Sequence, residues 1–368
     1  MKKRIVATVL AAAMVLSALT ACGSSSTATT TAAAATEAAK EETKAEETEA
    51  ATEAAAPAEV TKVTIAIPDP ETSYIGAAAQ EFADRATEYS NGTLEFTISG
   101  NGSLYGGDTA AGIKQLGAGS LQMLILASSV YASFVPGFNV ISVPYMFDDQ
   151  AQLCDYLNSD IAEELFNRVN DMGITCVGKW TRSLREVTNS VRPITCPDDL
   201  KGIKLRVPNN TLYVEFFSKC GTVTTPMNFS EVYNALQLNT LDGQENPVDV
   251  PYSNKFYEVQ KYISFTNHIA DAWVVGANTA FMDSLTAEQQ DAIKKAGEEV
   301  QQWNVEYMEE NNGEALQTLI DNGMEANELT EEGQQQFIEI SKSCYDKFQE
   351  IIQDEDLFAK TAEFTGRN

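Results

Sequence analysis

Three observations predict a two-lobed α/β protein. Short apolar strands alternate with amphipathic helical segments, and a capped helical run of unusual length follows them. The 368 residues suffice for about two domains of ordinary size.

The alternation starts at Lys62-Val63-Thr64-Ile65-Ala66-Ile67, a strand that stops at Pro68-Asp69-Pro70. Residues 75–89 keep helical spacing, and Asn91-Gly92 ends that helix before a second strand at 93–98. Residues 121–126 form another apolar strand, followed by a loop containing Pro136-Gly137, and 174–177 and 203–207 repeat the pattern. Residues 229–238 read as an amphipathic helix. The polar Asp242-Gly243-Gln244-Glu245-Asn246-Pro247 after it reads as a helix-to-strand turn that also offers amide donors to a polar ligand. Thr286-Ala287-Glu288-Gln289 is a capping box, in which the Thr hydroxyl and the Gln amide satisfy the first free N–H groups. Beyond it Ile293, Ala296, Val300, Trp303 and Tyr307 hold helical spacing, and the helix is expected to run past Gly313. About 25 residues would span ~40 Å, long enough to back two lobes.

Charge restricts function. The chain has 53 Asp and Glu against 25 Lys and Arg, a formal net charge of −28. Setting aside +3 from residues 1–21 and −6 from residues 22–60 leaves −25 on the remainder. Such an excess argues against binding nucleic acid or an anionic membrane face through basic patches.

The N-terminus reads as an export signal: Lys2, Lys3 and Arg4 precede an apolar run at 5–19 that is too short to span a bilayer comfortably. The run ends in Leu19-Thr20-Ala21-Cys22-Gly23, which resembles a bacterial lipobox, so Cys22 is expected to carry a lipid anchor at the extracytoplasmic face of the cell membrane. Residues 22–60, built from Ala, Thr, Ser, Glu and Lys, read as a disordered acidic tether. The other cysteines, Cys154, Cys176, Cys196, Cys220 and Cys344, have no C-x-x-C spacing. They are expected to be small buried hydrophobes rather than zinc ligands.

Little catalytic chemistry is available. His268 is the one histidine in the chain, so no two-histidine metal site can form, and neither a G-x-S-x-G elbow nor an H-E-x-x-H motif accompanies it. It is expected to be a hydrogen-bonded structural residue. No catalytic residue, metal or cofactor is predicted, and the rival reading is an extracytoplasmic hydrolase or lyase of acidic sugars.

The arginines carry more information. Arg182, Arg185, Arg192 and Arg206 are half of the eight in the chain and fall within 25 residues. Guanidinium is favoured where a carboxylate or phosphate must be gripped bidentately or the cation is partly buried. Arg206 ends an apolar strand just before Pro208, where open α/β sheets place ligand groups. Arg182 and Arg192 are expected to pair with acids on the surface.

Several ordered segments resemble the DctP-type solute-binding proteins of TRAP (tripartite ATP-independent periplasmic) transporters. The strongest is Pro197-Asp198-Asp199-Leu200-Lys201-Gly202-Ile203-Lys204-Leu205-Arg206-Val207-Pro208. Pro226-Met227-Asn228-Phe229-Ser230-Glu231-Val232-Tyr233-Asn234-Ala235-Leu236-Gln237, the Asp242 to Pro247 segment, and Lys255 to Tyr262 leading into Thr266-Asn267-His268 follow in the family's order.

The resemblance implies a periplasmic-binding-protein-like fold, two α/β lobes joined by strands and a long helix, closing on an organic acid. By residue, it implies that Arg206 salt-bridges the ligand carboxylate and Arg185 is a second ligand arginine. Asn246 would bond the ligand, and Phe229 would line the pocket. The sialic-acid-binding members differ where Pro68 and Ala127 stand here. A sugar acid such as a uronate, contacted by Asp69, Glu71 or Tyr74, or a C4-dicarboxylate is therefore expected. Lobe I is placed at 61–182 plus 272–311 and lobe II at 183–271 plus 312–368. The expected partners are TRAP membrane permease subunits, with the protein itself a monomer. A ligand sensor for a signalling system is the alternative use of the same fold.

Overall fold

A computed structural model describes residues 60–367, so the signal, Cys22 and nearly all of the tether lie outside the described residues. Among the described residues no helix is long and apolar enough to cross a membrane.

Two sheets organise the chain. The first holds β1 (Thr61–Ala66), β2 (Leu94–Ser99), β3 (Met123–Ala127), β4 (Ile174–Thr181) and β10 (Ala272–Asn278), in the order β2-β1-β3-β10-β4. β1 runs parallel to β2 and β3, whereas β10 is antiparallel to both its neighbours. The second sheet holds β5 (Glu186–Asn189), β6 (Lys204–Val207), β7 (Val223–Pro226), β8 (Gly243–Asn246), β9 (Tyr262–Phe265) and β11 (Glu325–Glu328), in the order β11-β9-β5-β8-β6-β7.

Alternation in β1 buries Val63 and Ile65 against Ile75 and Phe82 of the Tyr74–Tyr89 helix. The long helix runs Ala287–Asp321, 35 residues, further past Gly313 than its apolar spacing alone required. Its capping box forms as expected: the Gln289 N–H donates to Thr286 Oγ1 at 3.2 Å and the Thr286 N–H donates to Gln289 Oε1 at 3.1 Å. The Gln289 amide also donates to the Thr93 carbonyl at 3.1 Å, tying the start of this helix to the entry of β2.

Three links join the lobes. Segments 182–185 and 266–271 cross side by side: the Arg182 N–H donates to Asp271 O and the Arg185 N–H to Ile269 O, each at 3.0 Å. The long helix is the third. A shared core runs beneath the crossing, with Leu124, Leu126 and Val274 from the first sheet and Val187, Leu205 and Val207 from the second. The C-terminal helices add Phe337, Phe348 and Phe358 to that core. They also bond back to the first lobe, Ser341 Oγ donating to Pro144 O at 2.7 Å and the Tyr156 and Thr361 hydroxyls lying 3.0 Å apart.

Two sequence expectations change. The Asp242–Pro247 turn is in fact β8, an inner strand buried throughout. Its polarity misleads because each side chain finds an internal partner: Gln244 Nε2 donates to Thr188 Oγ1 at 2.9 Å, Asn246 Nδ2 to Gln244 Oε1 at 2.7 Å, and Glu245 pairs with Arg185. The five cysteines are free thiols, but only Cys220 and Cys344 are fully buried; the other three are half-buried.

The lobes also meet around the loop after β1. Asn254 Nδ2 donates to Asp69 Oδ1 at 2.9 Å, and Tyr74 packs edge-on against Tyr252 and Tyr307, with ring centroids 6.5 and 5.3 Å away. Asp249 is buried beside them, and burial, with Asp69 adding to it and Arg182 opposing, pushes its carboxyl up to about 6. A raised acid stabilises the fold at low pH, and that contribution is lost as pH rises through about 6.

Asp249→Asn is therefore expected to raise unfolding stability by up to about 3 kcal/mol at pH 8, with the gain gone by pH 4, as read from urea midpoints across pH. Gly297 gives a second test. Its Cα abuts β4 so closely that a Cβ would fall 1.7 Å from the Val177 carbonyl oxygen. Although alanine is the better helix former by about 1 kcal/mol, Gly297→Ala should lower stability by at least ~2 kcal/mol.

Candidate functional site

A cleft open to solvent lies between the two sheets, with about 440 Å³ of empty space when the open solvent is counted. The first lobe lines it with Pro68 and Asp69 after β1, Thr109, the β3 end from Leu126 to Val130, and Trp273 of β10. The second lobe contributes Arg206, Pro208, Phe229, Asn246 and Val250, and the crossing segment adds Arg182 and Arg185. The ends of parallel strands thus converge here, as the pattern around Arg206 implied.

Arg206 stands on β6, parallel to β7 and β8, with the following Pro208 also at the wall. Its side chain is buried. Nε and Nη2 both donate to one acceptor, the Met227 carbonyl, at 3.1 and 2.7 Å. Among the described residues no carboxylate forms an ion pair with it, so Nη1 and one Nη2 proton remain for another acceptor. Burial lowers its pKa to about 10, nearby Arg185 and Arg182 add to the effect, and Glu245 opposes it. The guanidinium centre lies 5.8 Å from the ring centroid of half-buried Phe229.

Arg185 is differently placed. Nε donates to Glu245 Oε2 at 2.5 Å, Nη2 to Glu245 Oε1 at 2.9 Å and to the Glu245 carbonyl at 2.8 Å, and Nη1 to Asp271 Oδ2 at 3.0 Å. Four of its five N–H donors are thereby spent, so it lines the cavity without a fork to offer. Burial alone would lower its pKa, but the Glu245 carboxylate more than offsets that and holds it above the ordinary value. Glu245 responds in kind: against burial, Arg185 and then His268 bring its carboxyl down to about 2.

His268 belongs to the same network and does not line the cavity. Nε2 lies 3.1 Å from Glu245 Oε2 and Nδ1 2.8 Å from Thr266 Oγ1, and the ring stacks on Phe216. Burial depresses its pKa, outweighing Glu245, so the ring is neutral at pH 7. The structural role expected of it matches this setting.

Arg182 corrects the sequence reading. It is buried rather than paired on the surface, with Nη1 donating to Asp271 Oδ2 at 2.8 Å and its guanidinium 4.1 Å over the Trp273 ring. The indole face and the buried carboxylate together favour burial of a planar cation there. The signal was present: Arg182 follows the apolar β4, much as Arg206 ends the apolar β6. Trp273, Asp271 and the pairing role of Glu245 carried no such mark. Arg192, half-buried, donates to the Asp199 carbonyl at 2.8 Å instead of pairing with an acid.

Asn246 and Phe229 reach the cavity, but Glu71 and Tyr74 do not. Glu71 is exposed, with Oε1 accepting from the Gly100 N–H at 3.4 Å, and Tyr74 is held in the aromatic contact between lobes. Of the three, Asp69 alone lines the site. Among the described residues no cluster of His, Cys, Asp and Glu is arranged to hold a metal ion.

Comparison with known proteins agrees with this architecture. The chain is 31% identical over 248 residues to the 2,3-diketo-L-gulonate-binding periplasmic protein YiaO of Escherichia coli, covering 67% of this chain and 75% of that one. It is 31% identical over 289 residues to the C4-dicarboxylate-binding periplasmic protein DctP of Rhodobacter capsulatus, covering 78% and 86%. Among solved structures, the sugar acid binding protein DctPAm of Advenella mimigardefordensis in complex with galactonate superposes with a TM-score of 0.80 at 26% identity, covering 84% of this chain and 99% of that one. The family model for bacterial extracellular solute-binding protein, family 7 (DctP) matches residues 65–351, a span that takes in every residue lining the cavity, and the chain belongs to that family.

Proposed function

We propose that this protein is the extracytoplasmic solute-binding component of a TRAP transporter, tethered by lipid on Cys22. It captures an organic carboxylate, a sugar acid or a C4-dicarboxylate, and delivers it to membrane permease subunits. It acts as a binder and not as an enzyme. One observation carries the reading: Arg206 is a buried guanidinium whose only hydrogen-bond partner among the described residues is the Met227 carbonyl. A carboxylate supplies the missing counter-charge with two parallel charge-assisted bonds. The names of the relatives, which bind diketogulonate, C4-dicarboxylate and galactonate, support the same ligand chemistry.

Capture and closure follow from the placement of the walls. The carboxylate docks on Arg206 from the second lobe, and the first lobe covers it with Trp273, Ala127 and the loop after β1. Excluding water lowers the local dielectric and strengthens the ion pair already made. Closure is favoured only by contacts the open form lacks, so the ligand must touch both lobes to drive it. Arg185 and Asn246 complete the second wall, Arg185 with its one remaining N–H and Asn246 with the part of its amide not bonded to Gln244.

A thermal-shift panel of hexuronates, aldonates, sialic acid and C4-dicarboxylates tests the ligand class. A cognate acid at about 100 Kd should add ~2.7 kcal/mol to stability, without turnover of the acid. Arg206→Ala should cost at least ~3 kcal/mol of binding in calorimetry. Arg206→Lys keeps the charge but lacks the fork and should bind between the two. Near-wild-type affinity in Arg206→Ala would overturn the assignment.

A further inference from the structure

The segment between β2 and β3 holds two consecutive glycines in the left-handed region, Gly106 at φ 65° and Gly107 at φ 74°. The turn is tied to the end of β1: the Gly102 N–H donates to the Ile67 carbonyl and the Gly107 N–H to the Gly102 carbonyl, each at 3.0 Å. Both positions favour glycine for one backbone reason, since a Cβ in this region crowds the following carbonyl oxygen. Their surroundings differ. A Cβ on Gly106 would meet nothing within 4 Å, whereas a Cβ on Gly107 would fall 2.5 Å from Ser230 Oγ and 2.7 Å from Ser230 Cβ.

Ser230 belongs to the other lobe, between β7 and β8, and its hydroxyl donates to the Gly107 carbonyl at 3.2 Å. Neither residue lines the cleft, although each stands within two residues of one that does, Thr109 and Phe229. We propose that Gly107 and Ser230 form the stop that fixes how far the lobes close. The missing Cβ at Gly107 lets the second lobe seat against the turn, and a side chain there props the cleft ajar. This rests on the reading of the protein as a binder that closes on an organic acid.

The hydrogen bond itself is a minor part of this. It is exposed, so its partners exchange it for water when the lobes part, and it contributes little to closure. Steric fit is the larger part. Turning the Ser230 hydroxyl aside would not clear room for a side chain at Gly107, because Ser230 Cβ also stands too close. That clash exists only with the lobes together. The backbone strain of an alanine in the left-handed region is the same with the lobes apart or together, so it lowers stability but cancels from affinity. A prop that reduces the closed fraction weakens apparent binding in proportion. Gly106 and Gly107 thus share the strain and differ in the clash.

Calorimetry of the full chain with D-galactonate, D-glucuronate and succinate as probes separates the two. Gly107→Ala should weaken every one of these acids that the wild type binds by at least ~10-fold. Gly106→Ala should lower the melting temperature by a similar amount to Gly107→Ala and yet keep affinity within about twofold of wild type. Adding Ser230→Gly to Gly107→Ala removes both obstructing atoms and should restore affinity to within about threefold, while Ser230→Gly alone should change it no more than that. Small-angle scattering at saturating acid should give Gly107→Ala a larger radius of gyration than the wild type, and the double variant the wild-type value. Unchanged affinity in Gly107→Ala, an equal loss in Gly106→Ala, or no rescue by Ser230→Gly would each overturn the proposal. Failure of the underlying reading looks different: none of the three acids would bind the wild type, or Arg206→Ala would leave their binding unchanged, and the stop would fall with it.

Discussion

Of three buried guanidiniums, two share a pair of buried carboxylates and the third touches none, and the site is built on that imbalance. Asp271 Oδ2 is shared by Arg182 and Arg185, and Glu245 is shared by Arg185 and His268. Ser128 Oγ and the Ala272 N–H complete Asp271 at 3.0 and 2.9 Å. Every acceptor in the network is thus committed, and Arg206 is the cation left over. Burying so many charges costs desolvation that their mutual attraction barely returns, so the network is poor at stabilising the fold. What it provides is position. Arg185 cannot rotate into the cavity without stranding two carboxylates, which leaves Arg206 as the guanidinium with donors free toward the cavity.

The network is also the crossing between the lobes. Arg182, Arg185, His268 and Asp271 all lie on the two segments that pass from sheet to sheet, and Glu245 reaches them from β8. β8 pairs with β6 in a register that sets Gln244 beside Arg206. Arg206 and the crossing between the lobes are therefore adjacent in one sheet, joined through β8. In the proposed cycle such an arrangement separates two tasks: docking would depend on a preformed wall, and closure on contacts between the lobes such as Asn254 with Asp69 and Ser230 with the Gly107 carbonyl.

Strands and helices were legible from the sequence where burial is one-sided and apolar. The 62–67 strand and the helix after it appear close to their expected limits, and the long helix starts at its expected cap although it runs on to Asp321. β8 was not legible, because its side chains are polar and yet buried, and pattern reading equates polarity with exposure. Nothing local in Gln244-Glu245-Asn246 announces partners 56 and 60 residues away in the chain. The same blindness explains the arginines. Arg206 could be singled out from its strand end and the following proline. Arg182 and Arg185, three residues apart, look alike until Glu245 and Asp271 are brought to them by the fold. Glu71 and Tyr74 were drawn from the segment next to Asp69, but Tyr74 starts the following helix and packs on Tyr252 and Tyr307, while Asp69 is held by Asn254.

An acidic protein proposed to bind an anion has to resolve a conflict of range. The part of the chain beyond residue 60 carries −25, so its far field repels the ligand. At physiological ionic strength that field decays over about 8 Å, whereas the interior of the cavity is shielded from salt and has a low dielectric. On the proposed reading the repulsion acts on the approach and the arginine on the bound state: surface acids should slow association by a modest, salt-sensitive factor, while Arg206 and the water excluded around it would set the lifetime of the complex. An acidic exterior then has no bearing on whether an anion is the ligand. It bears only on how fast one arrives.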